Sequence, residues 1–135
     1  MFLLDAGTCF ALLDGSAAVR RHLRAHEPSA IRLSALAKAE LLRKARESDD
    51  VAPHLELLNR FFLPFSSLVF DDRCAEHYAL LRAQSAQGGH EDSLSAADFM
   101  QASVALAHDL TLVTTRPAAF SAVVGLPVED WTREP

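Results

Sequence analysis

At 135 residues the chain has room for one hydrophobic core and not for two. Half of its residues are hydrophobic and 23% are charged, which excludes a disordered chain. No apolar run approaches the ~20 residues of a membrane helix, and a formal net charge of −5 argues against broad, phosphate-driven affinity for nucleic acid.

The amino terminus, Met1-Phe2-Leu3-Leu4-Asp5, meets an acid at once and has no basic stretch before its apolar residues. A secretory signal is not expected there, and a cytoplasmic location is. Phe2-Leu3-Leu4 reads as a short buried parallel strand ended by Asp5. Gly7 breaks the pattern, Cys9 to Leu13 is expected to be helical, and Ser16 is expected to cap a helix over 17–26 that Pro28 stops. Residues 30–33 form a second strand candidate. Ser34 caps a long helix through Arg46, and Asp50 starts another that ends before Pro64. Ser67-Leu68-Val69-Phe70 reads as a third strand, with Asp71 capping the following helix as far as Gly88-Gly89. Ser95 caps a helix reaching about His108, and residues 111–114 are the most strand-like of the chain. Pro117 suits the first turn of a short helix through Phe120, and residues 127–129 suit a last edge strand. Strands alternating with helices imply βαβ units. The expectation is one α/β domain over 1–135, with a mostly parallel sheet of four or five strands flanked by helices.

In such sheets, sites form where the strands end, near the reversal of strand order. Asp5 occupies such a place, although an acid there also serves as a plain helix cap. Glu40 has the bland reading of an exposed glutamate paired with Lys44 at i,i+4. Asp98 has that of a capping box with Ser95, on a stretch otherwise small or apolar. Cys9 and Cys74 lie far apart, form no CxxC pair and read as reduced, buried thiols. Of the six histidines, only His22 and His26 stand at i,i+4, on what reads as a solvated helix face. Arg20, Arg21 and Arg24, and Lys38, Arg43, Lys44 and Arg46, read as solvated faces too.

Taken in order, Leu3-Leu4-Asp5, Ala39-Glu40-Leu41-Leu42, Leu94-Ser95-Ala96-Ala97-Asp98, Leu112-Val113-Thr114 and the tail Val124 to Trp131 resemble the series of VapC-type PIN domains across essentially the whole chain. The resemblance implies a ribonuclease toxin with an antitoxin protein as partner and RNA as substrate, in a homodimer. It also implies that Asp5, Glu40 and Asp98 are the catalytic, metal-binding carboxylates, for Mg²⁺ or Mn²⁺. Acids suit that role, because these hard ions prefer oxygen ligands.

Two departures stand out. Where the family reads Asp-Thr-Asn or Asp-Ser-Asn, this chain reads Asp5-Ala6-Gly7, and Arg116 stands where an acid or amide is usual. Thr114, Thr115 and Arg116 are expected as contacts to the site or its substrate. Arg116 either neutralises the acids, meets a substrate phosphate, or is an exposed loop residue. A competing reading is a weakened site on a module that only binds protein or RNA. A receiver domain would want a second acid near residue 5 and a lysine after the last strand, and a haloacid-dehalogenase-like phosphatase would want an acid at Gly7. The apolar stretch Leu57 to Leu63 has more large side chains than one helix face needs, as an interface would.

Overall fold

The computed structural model describes residues 1–88 and 94–135. The expected helix end at Gly89 and the histidine His90 lie outside the described residues.

Five strands form one parallel sheet in the order β3-β2-β1-β4-β5: β1 (Phe2–Leu4), β2 (Ile31–Ser34), β3 (Ser67–Leu68), β4 (Thr111–Val113) and β5 (Val128–Glu129). The helices are α1 (Ala6–Leu13), α2 (Ala17–Arg24), α3 (Ala35–Arg46), α4 (Val51–Phe62), α5 (Asp72–Gln87) and α6 (Ala96–Ala107), with 3-10 turns at Pro28–Ala30 and Pro117–Phe120.

Successive side chains of a strand face opposite ways, so a strand covered on both faces must be apolar at every position. The central strand β1 follows that rule. Leu3 packs with Cys74, Leu81, Phe99 and Leu112 in a core under α5 and α6. Leu4 packs with Cys9, Val19, Leu33, Leu41, Val113 and Trp131 in a second core on the other face. The chain runs outward from β1 through β2 to β3, then returns to β4 on the other side of β1. The order therefore reverses at β1 and β4, and the Asp5 N–H bond to the Val113 carbonyl at 3.0 Å extends that pairing to the strand ends.

Capping fixes where the helices begin. Ser16, Ser34, Asp71 and Ser95 accept from the backbone N–H three residues on, at 3.3, 3.1, 3.1 and 3.1 Å. Asp50 stands at the start of α4 but makes no side-chain cap bond.

Four local expectations change. Helix α1 starts at Ala6, with Asp5 as its cap, so Gly7 lies inside the helix rather than breaking the chain before it. Helix α2 ends at Arg24, short of His26. Strand β3 keeps only Ser67–Leu68, because Val69 turns outward, 61% exposed, and Phe70 leaves the ladder to meet Tyr78 edge-on. His22 and His26 are not a solvated face. Both rings stack on buried Trp131, with centroids at 5.2 and 5.3 Å, because the carboxyl-terminal tail folds back over α2. Both cysteines are free and buried, as the sequence suggested. Among the described residues, no helix is long and apolar enough to cross a membrane.

Candidate active site

All five strands run parallel, so their carboxyl ends share one edge of the sheet. A cleft of about 240 Å³ opens there between the starts of α1 and α6 and the flank of α3. Asp5, Glu40 and Asp98 all line it, together with Gly7, Gln101, Thr115 and Arg116.

Asp5 is placed by the end of β1. Its Oδ1 accepts from the Thr8 N–H at 2.8 Å, which satisfies a first-turn donor and holds the carboxylate over the amino end of α1. Thr8 in turn donates its hydroxyl to the Val113 carbonyl at 3.1 Å, tying that first turn to β4. Behind Asp5 the Cys9 thiol is fully buried. Burial first, and the Asp5 charge second, hold that thiol well above its ordinary pKa, which favours the protonated form.

Glu40 projects from the second turn of α3 with its side chain 49% exposed. Its partner is Arg43 at i,i+3, 3.0 Å away, and Arg43 also grips Glu47 at 2.9 Å. The expected pairing with Lys44 does not form, because the Lys44 ammonium lies over the Phe10 ring, 4.8 Å from its centre.

Asp98 is more enclosed than Glu40, with its side chain 19% exposed. It completes the capping box foreseen for Ser95: the Asp98 N–H donates to Ser95 Oγ at 3.1 Å, and Asp98 Oδ2 accepts from the Ser95 N–H at 2.9 Å. Its remaining oxygen, Oδ1, accepts from Arg116 Nη2 at 2.7 Å. The stretch around Asp98 is less buried than its composition suggested, since Ser95, Ala96 and Ala97 are exposed and burial begins at Phe99.

Arg116 therefore belongs to the acid cleft and is not an unattached loop residue. Its guanidinium, half exposed, reaches from the loop after β4 to Asp98. Thr115 lines the cleft beside it, but Thr114 does not. Thr114 is buried, and its hydroxyl accepts the Arg116 N–H at 3.1 Å, which shapes the loop. Gly7 has a spatial reason as well. A Cβ at that position would come within 3.0 Å of Thr115 Oγ1 and 3.5 Å of Asp5 Oδ1, so a side chain at residue 7 would press on the threonine hydroxyl.

The three acids thus share a cleft without being gathered on one point. Among the described residues, no group of three or more His, Cys, Asp or Glu side chains is close enough to hold an ion as placed. The donors nonetheless fit a hard divalent cation, being carboxylate oxygens throughout, and the ion pairs that divert Glu40 and Asp98 are partly exposed and exchangeable.

One residue that sequence reasoning passed over, Gln101, also builds this region, together with the capping residue Ser34. Gln101 and Ser34 are both buried and bonded to each other, with Ser34 Oγ donating to Gln101 Oε1 at 2.6 Å. The available signal was an amide interrupting the run of small and apolar residues on the inner face of α6.

Comparison with known proteins gives consistent results. The family profile described as PIN domain matches residues 2–126. A protein of Shigella flexneri named tRNA(fMet)-specific endonuclease VapC is 28% identical over 132 residues, covering 97% of this chain and 98% of that protein. Among solved structures, DNA-bound VapBC from Salmonella typhimurium superposes with a TM-score of 0.88 at 27% identity, covering 96% of this chain and 97% of the other. FitAcB from Neisseria gonorrhoeae gives 0.85 at 27% identity, covering 97% and 98%.

Proposed function

The chain belongs to the PIN domain family as a VapC-type member, and from that premise we propose that it is a metal-dependent endoribonuclease, the toxin of a toxin–antitoxin pair. The observation that carries the proposal is the convergence of Asp5, Glu40 and Asp98, from three separate elements, on one cleft at the carboxyl edge of the sheet. RNA as the substrate is favoured by the relative named as a tRNA endonuclease, and an antitoxin as the partner by the VapBC assemblies that the fold resembles.

In this reading Asp5, Glu40 and Asp98 hold Mg²⁺ or Mn²⁺. Bound among carboxylates, such an ion lowers the pKa of a water and offsets charge developing on a phosphate. The chain's own groups prepare the place. The Thr8 N–H fixes Asp5, and the Ser95 N–H fixes one oxygen of Asp98. Arg116 exchanges Asp98 for a phosphate oxygen of the RNA, since a guanidinium suits either anion. The Thr115 hydroxyl is available to the same phosphate from the cleft wall. Three carboxylates without a cation repel one another, so the Arg116 contact offsets that repulsion while no ion is bound.

The same contact favours a second reading, in which the site is weakened and the domain serves as a protein- or RNA-binding module. Arg116 occupies the Asp98 oxygen that an ion would use, and Gly7 supplies no side chain to orient Asp5. One experiment separates the two. The purified chain, freed of any antitoxin, is incubated with structured and unstructured RNAs in Mg²⁺ and in Mn²⁺, beside Asp98→Asn. Cleavage with either metal, abolished by Asp98→Asn, is the expected result. No cleavage with either metal, together with growth inhibition that Asp98→Asn leaves unchanged, would make it a binding module.

A further inference from the structure

We infer that Gln101 is a positioning residue of the cleft: one buried amide joins the three elements that carry Asp5, Glu40 and Asp98. The inference rests on the functional reading above and concerns what sets the spacing of those acids.

Gln101 lies on α6, one turn beyond Asp98, and is 6% exposed. Its neighbours on the inner side of that helix, among them Phe99, Ala102, Val104 and Ala105, are buried and apolar. An amide is a costly choice in such a row unless both its ends are partnered. Both are. Gln101 Nε2 donates to the Leu4 carbonyl at 3.4 Å, and Leu4 immediately precedes Asp5. Gln101 Oε1 accepts from the Ser34 hydroxyl at 2.6 Å. Ser34 ends β2 and caps α3, the helix of Glu40, by accepting from the Ala37 N–H at 3.1 Å.

The orientation of the amide is determined by its partners. A carbonyl only accepts, so the nitrogen must face Leu4, which leaves the oxygen to face Ser34. The hydroxyl then spends its proton on Gln101 and its lone pair on Ala37, so both of its roles are fixed. A leucine or methionine of similar volume would fill the same space and hold none of these connections. The acids sit on separate elements whose relative placement otherwise depends on non-directional packing. The amide adds direction at the point where all three meet. Hydrogen bonds made directly to metal ligands are typically worth about 10–100-fold in metal affinity, and Gln101 acts one step further back, on the backbone that carries them.

The test uses the full chain with Gln101→Met, and Gln101→Leu as a second variant in case the first fails to fold. Far-UV circular dichroism and thermal unfolding confirm a folded protein, and Mn²⁺ binding is then followed by electron paramagnetic resonance. A folded variant should bind Mn²⁺ several-fold, up to about tenfold, more weakly than the native chain. Unchanged affinity in a folded variant overturns the inference, since a purely structural role would lower the melting temperature and leave the ion alone. If the native chain binds no Mn²⁺ and cleaves no RNA with Mg²⁺, the nuclease reading fails instead. Crystal structures of the native chain and the variant then decide this point. Displaced Asp5, Glu40 or Asp98 side chains support it, and an unmoved trio refutes it.

Discussion

Arg116 shows how one side chain changes the character of an acidic cleft. It neutralises Asp98 at 2.7 Å, in a position from which it either competes with a cation or guides a phosphate. The pair is half exposed on the arginine side, so it contributes little to folding, within about 1 kcal/mol. Its effect on the ion is larger, because it takes up the one Asp98 oxygen that the capping box leaves over. Arg116→Gln should therefore tighten Mn²⁺ binding several-fold while shifting urea unfolding by no more than about 1 kcal/mol. Calorimetric titration checks the first and denaturation the second. Equal affinity in the two proteins would show that the arginine does not compete with the ion. Adding Asn at residue 7 is a different matter, since its Cβ would press on Thr115 Oγ1 at 3.0 Å and the threonine would have to turn away first.

At the scale of elements, the carboxyl-terminal segment closes the second core. Trp131 is 1% exposed and is stacked by His22 and His26, while the Arg133 carbonyl meets His22 Nε2 at 2.9 Å. An ion pair between Arg21 and Glu134 continues the same attachment to α2. The indole Nε1 is buried without a hydrogen-bond partner among the described residues, so the ring contributes through packing alone. Trp131→Ala should cost about 3–5 kcal/mol in urea unfolding, as large core truncations do. Trp131→Phe should cost less, because it removes a donor that gains nothing in the fold. A phenylalanine variant as unstable as the alanine one would mean that the indole nitrogen is partnered after all.

For the molecule as a whole, two of the exposed large apolar side chains lie on or just past α4. Leu57 is 50% exposed and Leu63, just past the helix, 81% exposed, while Leu58 is buried and Phe61 and Phe62 pack partway into the second core. The stretch thus divides between core and surface, and its outward leucines suit an interface. We expect a homodimer in solution that Leu57→Glu with Leu63→Glu converts to a monomer, as read by light scattering. A native chain that is already monomeric at high concentration would remove the dimer and leave this face to a different partner.

What was legible in the sequence follows from local rules. Helix starts were readable because Ser16, Ser34, Asp71 and Ser95 satisfy donors three residues away, and β1 was readable because a strand covered on both faces must be apolar throughout. The three acids were singled out by the resemblance of their ordered motifs to the VapC-type PIN series, since each taken alone reads as a cap or an exposed ion pair. The Ser95 capping box of Asp98 was legible, but the long-range contacts around the cleft were not. Arg116 meets Asp98 across 18 positions, Ser34 meets Gln101 across 67, and Gln101 meets Leu4 across 97. Such contacts have no period and no local signature. They arise only once the return of the chain to β4 sets β1 between β2 and β4 and brings the carboxyl ends together. Trp131 likewise found His22 and His26 only through the fold, since stacking across the second core depends on where the tail lies after packing. The sequence by itself determined the elements, their alternation and the order of the acids; the tertiary structure alone decided that Arg116 meets Asp98 and that Gln101 ties the elements around them together, because those contacts depend on distances through space that the spacing along the chain does not encode.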